Sequence, residues 1–168
     1  FLDDRERVRF MTRMSDYSQD RVTVVAHCLM DNHYHLLLQQ NSDSGVSKFM
    51  QRLGNSYTKY FNRKNDRCGR LFESKYKSRH VYYEAYLVHL IRYIHMNPLK
   101  SLGGDIDQLI SYKWSDCKKY IGEKGVLSNL FDDVTYRSFL LAGIHWNQHL
   151  MLSGSFKSDV ELPLNIRC

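Results

Sequence analysis

The sequence lacks the features that mark membrane and secreted proteins. No apolar run approaches the roughly 20 residues that a membrane-spanning helix needs, and no stretch resembles a signal peptide. The cysteines lie far apart without a Cys-x-x-Cys pair, which argues against a zinc ribbon: they are Cys28, Cys68, Cys117 and Cys168. Free thiols are typical of a reducing compartment, so we expect a cytoplasmic protein.

The chain also lacks internal repeats and low-complexity tracts. Its 168 residues suit one domain with a sizeable core. The net charge of +6 suits a polyanionic partner such as a nucleic acid, although many basic proteins bind none. Length and composition therefore indicate a single domain but do not assign a function.

Periodicity predicts an α+β chain. The predicted helices are residues 3–14, 44–63, 83–98, 114–121 and 136–144, and the predicted strands are 21–29, 33–40 and 71–81. Antiparallel strands with helices on one face would form a ferredoxin-like sandwich. We expect residues 1–122 to form this core and residues 123–168 to form a C-terminal helical extension and tail.

Apolar residues at helical spacing predict which helix faces are buried. Helix 3–14 has a modest stripe: Val8, Met11 and Met14. Helix 44–63 has a longer one: Val46, Phe49, Met50, Leu53, Tyr57, Tyr60 and Phe61. The aromatic members of the longer stripe could stack on unpaired bases, but their spacing favours core packing.

The most informative residues are His33 and His35, which flank Tyr34. In an extended strand, side chains alternate between faces, so both imidazoles should project from one side, roughly 6–7 Å apart, and could reach one divalent cation. Among eight histidines, this spacing also arises by chance, and a structural pair is the alternative. If the preceding turn holds three residues, His27 lies across from His35 and could join the site or simply pack there.

Residues 83–98 have the pattern of one amphipathic helix that ends at Pro98. Its apolar positions recur at helical spacing: Leu87, Leu90, Ile91 and Ile94. On a neighbouring face, Tyr93 and Asn97 are four residues apart and therefore adjacent. An amide oxygen can ligate a hard cation such as magnesium, so Tyr93 is a candidate nucleophile beside a candidate ligand. The alternative is that Tyr93 is one more core aromatic.

Four segments resemble, in order and spacing, the motifs of the single-tyrosine HUH transposases, a family named for a histidine, a hydrophobic residue and a second histidine. The segments are 29–38, 69–78, 92–98 and 112–115. Together they cover most of the chain from about residue 20 to residue 120. The REP-associated tyrosine transposases, which act on repetitive extragenic palindromes, are the most similar branch.

The resemblance implies His33, His35 and Asn97 as ligands of a divalent metal, Mg²⁺ or Mn²⁺, and Tyr93 as the nucleophile. The implied substrate is single-stranded DNA with hairpins formed by palindromic repeats. The enzyme would cleave and rejoin it through a 5′-phosphotyrosine, on a ferredoxin-like HUH endonuclease fold. The resemblance further implies a bacterial, nucleoid-associated protein, and the extra C-terminal segment favours a monomer over a dimer.

Two features depart from the family's pattern. The family usually has proline where this chain has Asp31, a turn position that should tolerate the change. Family members also open with a strand before the first helix. We therefore expect the first strand of the sheet to lie upstream of Phe1 and to be missing from this sequence.

Basic residues predict a DNA-binding surface. Lys75, Lys77 and Arg79 alternate along the predicted strand 71–81, so their charges should share one face, and Arg70 precedes them in a loop. We expect these residues to contact the phosphate backbone, with an ordinary solvated face as the alternative.

Three further alternatives remain open. His95 flanks Tyr93 and is either a helper in catalysis or a structural or surface residue. A replication initiator or relaxase shares the chemistry, but relaxases commonly carry a third histidine where this chain offers Asn97. A nucleic-acid-binding module that does not cleave has no physical need for all four of the site residues.

Overall fold

The computed structural model describes residues 1–121, apart from the side chains of Glu84 and Ala85. These residues divide into two compact units, residues 1–79 and residues 80–121. The predicted extension 123–168, with its helix 136–144, lies outside the described residues. None of the helices within residues 1–121 is long and apolar enough to cross a membrane.

The first unit is a two-stranded antiparallel sheet with two helices. Its elements are α1 (Asp4–Ser18), β1 (Val22–Leu29), β2 (Tyr34–Gln40) and α2 (Gly45–Lys64). Helix α1 begins after Asp3, whose carboxylate accepts the backbone N–H of Glu6 at 2.9 Å. Helix α2 begins with Gly45, where a Cβ would collide with the carbonyl oxygen of Arg21, so the residue allows the helix to start against the strand.

An aromatic cluster holds α1 and α2 against one face of the sheet. The Phe10 ring centroid lies 4.7 Å from that of Tyr34 and 5.2 Å from that of Tyr57. The predicted stripe of α2 is buried at five positions, Phe49, Met50, Leu53, Tyr57 and Phe61, and half-buried at Val46 and Tyr60. Tyr57 and Phe61 therefore pack in the core and do not offer stacking surfaces. The predicted stripe of α1 is wrong at Val8, which is exposed, because packing of Phe10 on the sheet turns Val8 outward.

The strand register differs from the prediction. The turn holds four residues, 30–33, and is closed by a hydrogen bond from the Met30 N–H to the His33 carbonyl at 2.9 Å. Residue 35 therefore pairs with Cys28, while His27 pairs with Leu36. Because directly opposed residues share a face, His27 lies on the other side of the sheet from His35 and does not join its site. A bulge at Val25 then shifts the register by one residue, so Val22, Thr23 and Val24 pair as the three-residue turn would have predicted.

The predicted strand 71–81 is wrong. Between residues 65 and 83, the structure contains no helix and no strand beyond a single bridging residue at Phe72. The segment has no apolar face to bury: its side chains from Lys75 to His80 are exposed except for the half-buried Tyr76. Without burial on one face, alternating side chains do not hold a strand against a sheet.

The second unit is helical. It contains α3 (Glu84–Met96), a 3₁₀ turn (Asn97–Lys100), α4 (Ile106–Ile110) and a second 3₁₀ turn (Cys117–Tyr120). The α-helix ends at Met96, just before Pro98, as predicted. Pro98 itself lies in the first turn of the 3₁₀ segment, a position where a backbone N–H is not needed. The predicted helix 114–121 is reduced to the second 3₁₀ turn.

The predicted stripe of α3 is buried at Leu90, Ile91 and Ile94, whereas Leu87 is half-buried. Met96 is also buried, although it is outside the predicted stripe. The α+β class is confirmed, with α1 and α2 on one face of the sheet in the first unit. Residues 1–121 contain two of the strands that a ferredoxin-like sheet would have.

Candidate active site

His33 and His35 lie close together at the start of β2. His33 is the last residue of the turn and is half-buried, whereas His35 lies inside the strand and is fully buried. Their ring centroids are 4.9 Å apart, with the ring planes at 86°. With metal–nitrogen bonds of about 2.1 Å, two imidazoles in adjacent coordination positions have centroids about 4.7–5.4 Å apart. The pair therefore fits two ligands of one divalent ion.

The turn before His33 orients its ring. The Nδ1 atom of His33 lies 2.7 Å from Oδ1 of Asn32. A carbonyl oxygen only accepts, so Nδ1 carries the proton, and in the neutral imidazole Nε2 carries the lone pair that a metal needs. The next residue back, Asp31, forms an ion pair with Arg7 of α1. This ion pair ties the turn to the first helix.

Tyr93 is exposed on a helix whose neighbouring positions are buried. Its side chain is 38% exposed, whereas Ile91 and Ile94 are at most 2% exposed. The alternative that Tyr93 is a core aromatic is therefore wrong. Its position leaves the phenol accessible to a large substrate.

Asn97 is held in one orientation by the end of α3. Its Nδ2 donates to the carbonyl oxygen of Tyr93 at 2.9 Å and to that of Ile94 at 3.3 Å. These carbonyls belong to the last turn, where helical N–H partners run out, and the Ile94 carbonyl also accepts the backbone N–H of Asn97. Because both bonds use the amide nitrogen, the Oδ1 atom is directed away from the helix end. Asn97 thus presents the atom that a hard cation prefers, one turn from Tyr93.

This orientation makes the effect of Asn97→Asp testable. A carboxylate binds divalent cations strongly, yet here it would place an oxygen against two carbonyl oxygens at the negative end of the helix dipole. We expect DNA cleavage to fall by about tenfold or more, as for the loss of one to two hydrogen bonds, whereas Asn97→Ala should cost less than loss of a histidine. Initial cleavage rates measure this, with Asn55→Asp on the exposed face of α2 as the charge-matched control. Wild-type activity in the aspartate variant would contradict the orientation argument.

His95 lies in the interior of the second unit. It is fully buried, and its Nε2 lies 3.0 Å from Oδ1 of Asp116. The ring also packs on Tyr120, with centroids 4.8 Å apart. Burial, together with the charge of Asp116, raises the pKa of the Cys117 thiol to about 12 and also raises the pKa of Tyr120. A buried histidine does not touch DNA, which favours the structural alternative for His95; it links α3 to the segment that follows Trp114.

The predicted DNA-binding residues are all exposed, but not in the predicted way. Arg70, Lys75, Lys77 and Arg79 lie at the surface of the first unit. Because the segment is not a strand, alternation does not place their charges on one face. Their exposure leaves phosphate contacts as a prediction.

The candidate site residues form two local pairs. His33 and His35 belong to the first unit, and Tyr93 and Asn97 belong to the second. Within residues 1–121, no group of three or more histidine, cysteine, aspartate or glutamate side chains could hold a metal ion. The predicted ligand set consists of two histidines and the amide oxygen of Asn97. It therefore contains only two side chains of these four types.

Sequence reasoning missed two long-range side-chain contacts that support these residues, the Arg7–Asp31 ion pair and the His95–Asp116 hydrogen bond. Arg7 reaches Asp31 across 24 positions, and His95 reaches Asp116 across 21 positions. Neither pair has a local pattern, because each forms only when distant elements pack together. Arg7 is one of several charged residues in α1, and Asp116 lies in a polar segment, so neither stands out as the partner of a distant residue.

Comparison with known proteins agrees with the sequence motifs. A family model described as "Transposase IS200 like" matches residues 2–97, more than half of the chain. The matched range includes both histidines, Tyr93 and, as its last residue, Asn97. No curated protein and no solved structure matches the chain.

Proposed function

Because this chain belongs to the IS200-like transposase family, we propose that it cleaves and rejoins single-stranded DNA near hairpins through a 5′-phosphotyrosine on Tyr93. Transposases of this family act on DNA and generally depend on a divalent metal. The observation that carries the proposal is the pairing of an exposed Tyr93 with an Asn97 whose amide oxygen is directed away from the helix. A protein that only binds DNA has no use for that arrangement.

The donors present in each unit fit a divalent cation. We assign His33 and His35 as nitrogen ligands and Asn97 as an oxygen ligand, with Mg²⁺ or Mn²⁺ as the ion. When bound, such an ion polarises the scissile phosphate and offsets the charge that builds up as the phosphate is attacked. His33 contributes through Nε2, since its Nδ1 proton is held by Asn32.

The reaction of Tyr93 needs no nucleotide cofactor. Its phenolic oxygen forms a bond to phosphorus while the bond from phosphorus to the 3′ oxygen breaks. As this bond forms, the phenol proton passes to a water molecule. The 3′ oxygen takes up a proton from water and leaves as a hydroxyl, and the phosphotyrosine conserves the phosphodiester energy for rejoining to a second DNA end.

We further propose the REP-type hairpin as the substrate class, a monomer as the working form, and a bacterial, nucleoid-associated location. The support is the order of the four motif segments together with the exposed basic residues that precede α3. Single-stranded DNA fits because in-line attack needs a phosphate that can be turned toward the tyrosine.

Trapping the covalent adduct tests the proposed function. The full chain is incubated with Mg²⁺ and a labelled single-stranded oligonucleotide that contains a palindromic hairpin, and it is then denatured. We expect the label to remain on the protein, and peptide mapping to place it on Tyr93. The absence of any adduct, with the DNA bound but intact, would favour the non-cleaving alternative.

The basic segment before α3 gives a separate prediction on binding. Replacing Lys75, Lys77 and Arg79 with alanine should weaken binding to single-stranded DNA and flatten its salt dependence. Each lost phosphate contact should reduce the slope of log K against log salt by about 0.7, so the triple variant should lose roughly two units. The control removes the exposed charges of Lys59 and Arg63 on α2. An unchanged slope in the triple variant would mean that these side chains are solvated and do not contact phosphates.

A further inference from the structure

Two consecutive tyrosines stand at the start of the tyrosine-bearing helix and are almost wholly exposed. Tyr82 is 78% exposed and Tyr83 is 76% exposed, the highest values among the large hydrophobic residues that the structure describes. By contrast, Tyr34 and Tyr57 are fully buried in the core of the first unit. Aromatic rings held this far into solvent are typical of surfaces that bind a partner.

We propose that Tyr82 and Tyr83 form a stacking platform for unpaired bases of the DNA substrate. The inference rests on the proposed function, because it assigns a subsite to that same substrate. Every base has a π-face, so stacking on tyrosine accepts single-stranded DNA of any sequence. Neither ring takes part in the chemistry that Tyr93 performs.

The local geometry favours bases as the occupant. The His80 ring lies 4.5 Å from that of Tyr82, with the planes at 42°, which widens the aromatic surface. Tyr83 has the extended backbone angles φ −122° and ψ 132°, so the chain is extended where it enters α3. Each ring is more than three-quarters exposed and is available to a different base of a strand that passes over the helix start.

Charge complementarity also favours a nucleic acid. The run from Lys75 to Arg79 ends two residues before the tyrosines and contains three exposed cations and no acidic residue. Cations that track a backbone beside aromatic rings that take the bases are the usual composition of a surface for single-stranded nucleic acid. An apolar protein partner would instead require a continuous apolar patch, whereas these are separate phenol rings with polar tips.

The platform has a predicted position on the substrate. Tyr83 precedes α3 and Tyr93 lies ten positions further along, so the two are about 15 Å apart along the helix axis at 1.5 Å per residue. At a stacked rise of about 3.4 Å per nucleotide, this corresponds to about four nucleotides from the cleaved phosphate.

Binding assays on the full chain test the platform separately from cleavage. All variants carry Tyr93→Phe, so the DNA stays intact and affinity is read without reaction. We expect Tyr82→Ala and Tyr83→Ala each to weaken binding of a single-stranded oligonucleotide by roughly 5- to 150-fold, the range for loss of one stacked base. Tyr82→Phe and Tyr83→Phe keep the rings and should stay within about twofold. Val8→Ala, another exposed apolar position, is the control for truncation.

Two further readouts distinguish stacking from a structural effect. The salt slope should not change in the alanine variants, because no phosphate contact is lost. The parent protein, which carries Tyr93→Phe alone, is also tested against a series of oligonucleotides that each have an abasic site at a different position. Its affinity should fall when the abasic site is at one or two positions within about four nucleotides of the cleavage point. At those positions, the alanine variants should no longer distinguish abasic from intact DNA.

Either of two results would overturn the platform. One is parent-like affinity in the alanine variants; the other is a loss that is equal for intact and abasic DNA at every position. The abasic series uses the parent protein alone, so it gives an answer even if a variant does not fold. If the proposed function is wrong, the wild-type protein should instead form no covalent adduct with the DNA.

Discussion

Replacing Tyr93 with phenylalanine should abolish strand cleavage and the covalent adduct while DNA binding persists. The substitution removes one oxygen and keeps the ring of a side chain that is 38% exposed, so the packing of α3 should survive. The backbone carbonyl of Tyr93 still accepts the Asn97 amide at 2.9 Å, and the orientation of the amide oxygen should therefore survive. Cleavage of labelled single-stranded hairpin DNA, with adduct formation followed on denaturing gels, measures the result.

Tyr86 provides the matched control for this experiment. It lies on α3 two turns before Tyr93 and is half-buried, so Tyr86→Phe makes the same chemical change on the same helix. We expect this variant to keep its adduct and its cleavage rate. An adduct that persists in Tyr93→Phe, or one that maps to another tyrosine, would contradict the assignment of the nucleophile.

Replacing either His33 or His35 with alanine should reduce cleavage by about 100-fold or more, since loss of a direct ligand should cost at least as much as the 10- to 100-fold typical of residues that only support ligands. DNA binding should persist, because the exposed cations lie elsewhere in the first unit. His33→Ala is the cleaner variant, since His33 is half-buried in a turn, whereas His35 is fully buried and its truncation leaves a cavity. Cleavage rates against Mg²⁺ and Mn²⁺ concentration measure the effect.

His27 supplies a control of the same residue type. It lies in β1 and is buried, but on the opposite face of the sheet from His35. His27→Ala should lower thermal stability as His35→Ala does, yet keep its metal-dependent cleavage. Full activity of either site variant, or undiminished wild-type cleavage in excess chelator, would rule out the metal assignment.

The sequence predicted correctly those helices and strands whose own residues show a periodic apolar pattern. Helix α2 was predicted as 44–63 and spans Gly45–Lys64, because its apolar residues recur at helical spacing over five turns. The two strands were also predicted within one residue at each end. In each case, one buried face imposed a periodic pattern on a continuous stretch of chain.

Predictions failed where structure depends on distant partners. The alternation in 71–81 has the period of a strand, but period alone does not supply an apolar face. The sequence did not determine the length of the turn, because nothing local distinguishes three residues from four. The bulge at Val25, which shifts the register back by one residue, was not predicted either. At the candidate site, the sequence identified the residue types, whereas the amide orientation of Asn97 and the exposure of Tyr82 and Tyr83 required coordinates.

The turn between β1 and β2 limits how related chains can diverge. Position 31 contributes to the turn through the side-chain ion pair of Asp31 with Arg7, whereas the strand pairing is made by the backbone. Insertion or deletion of one residue would instead exchange the two faces of a strand, and a second bulge would be needed to restore His35 to its side. We therefore expect lineages of this chain to drift freely in turn composition while conserving turn length.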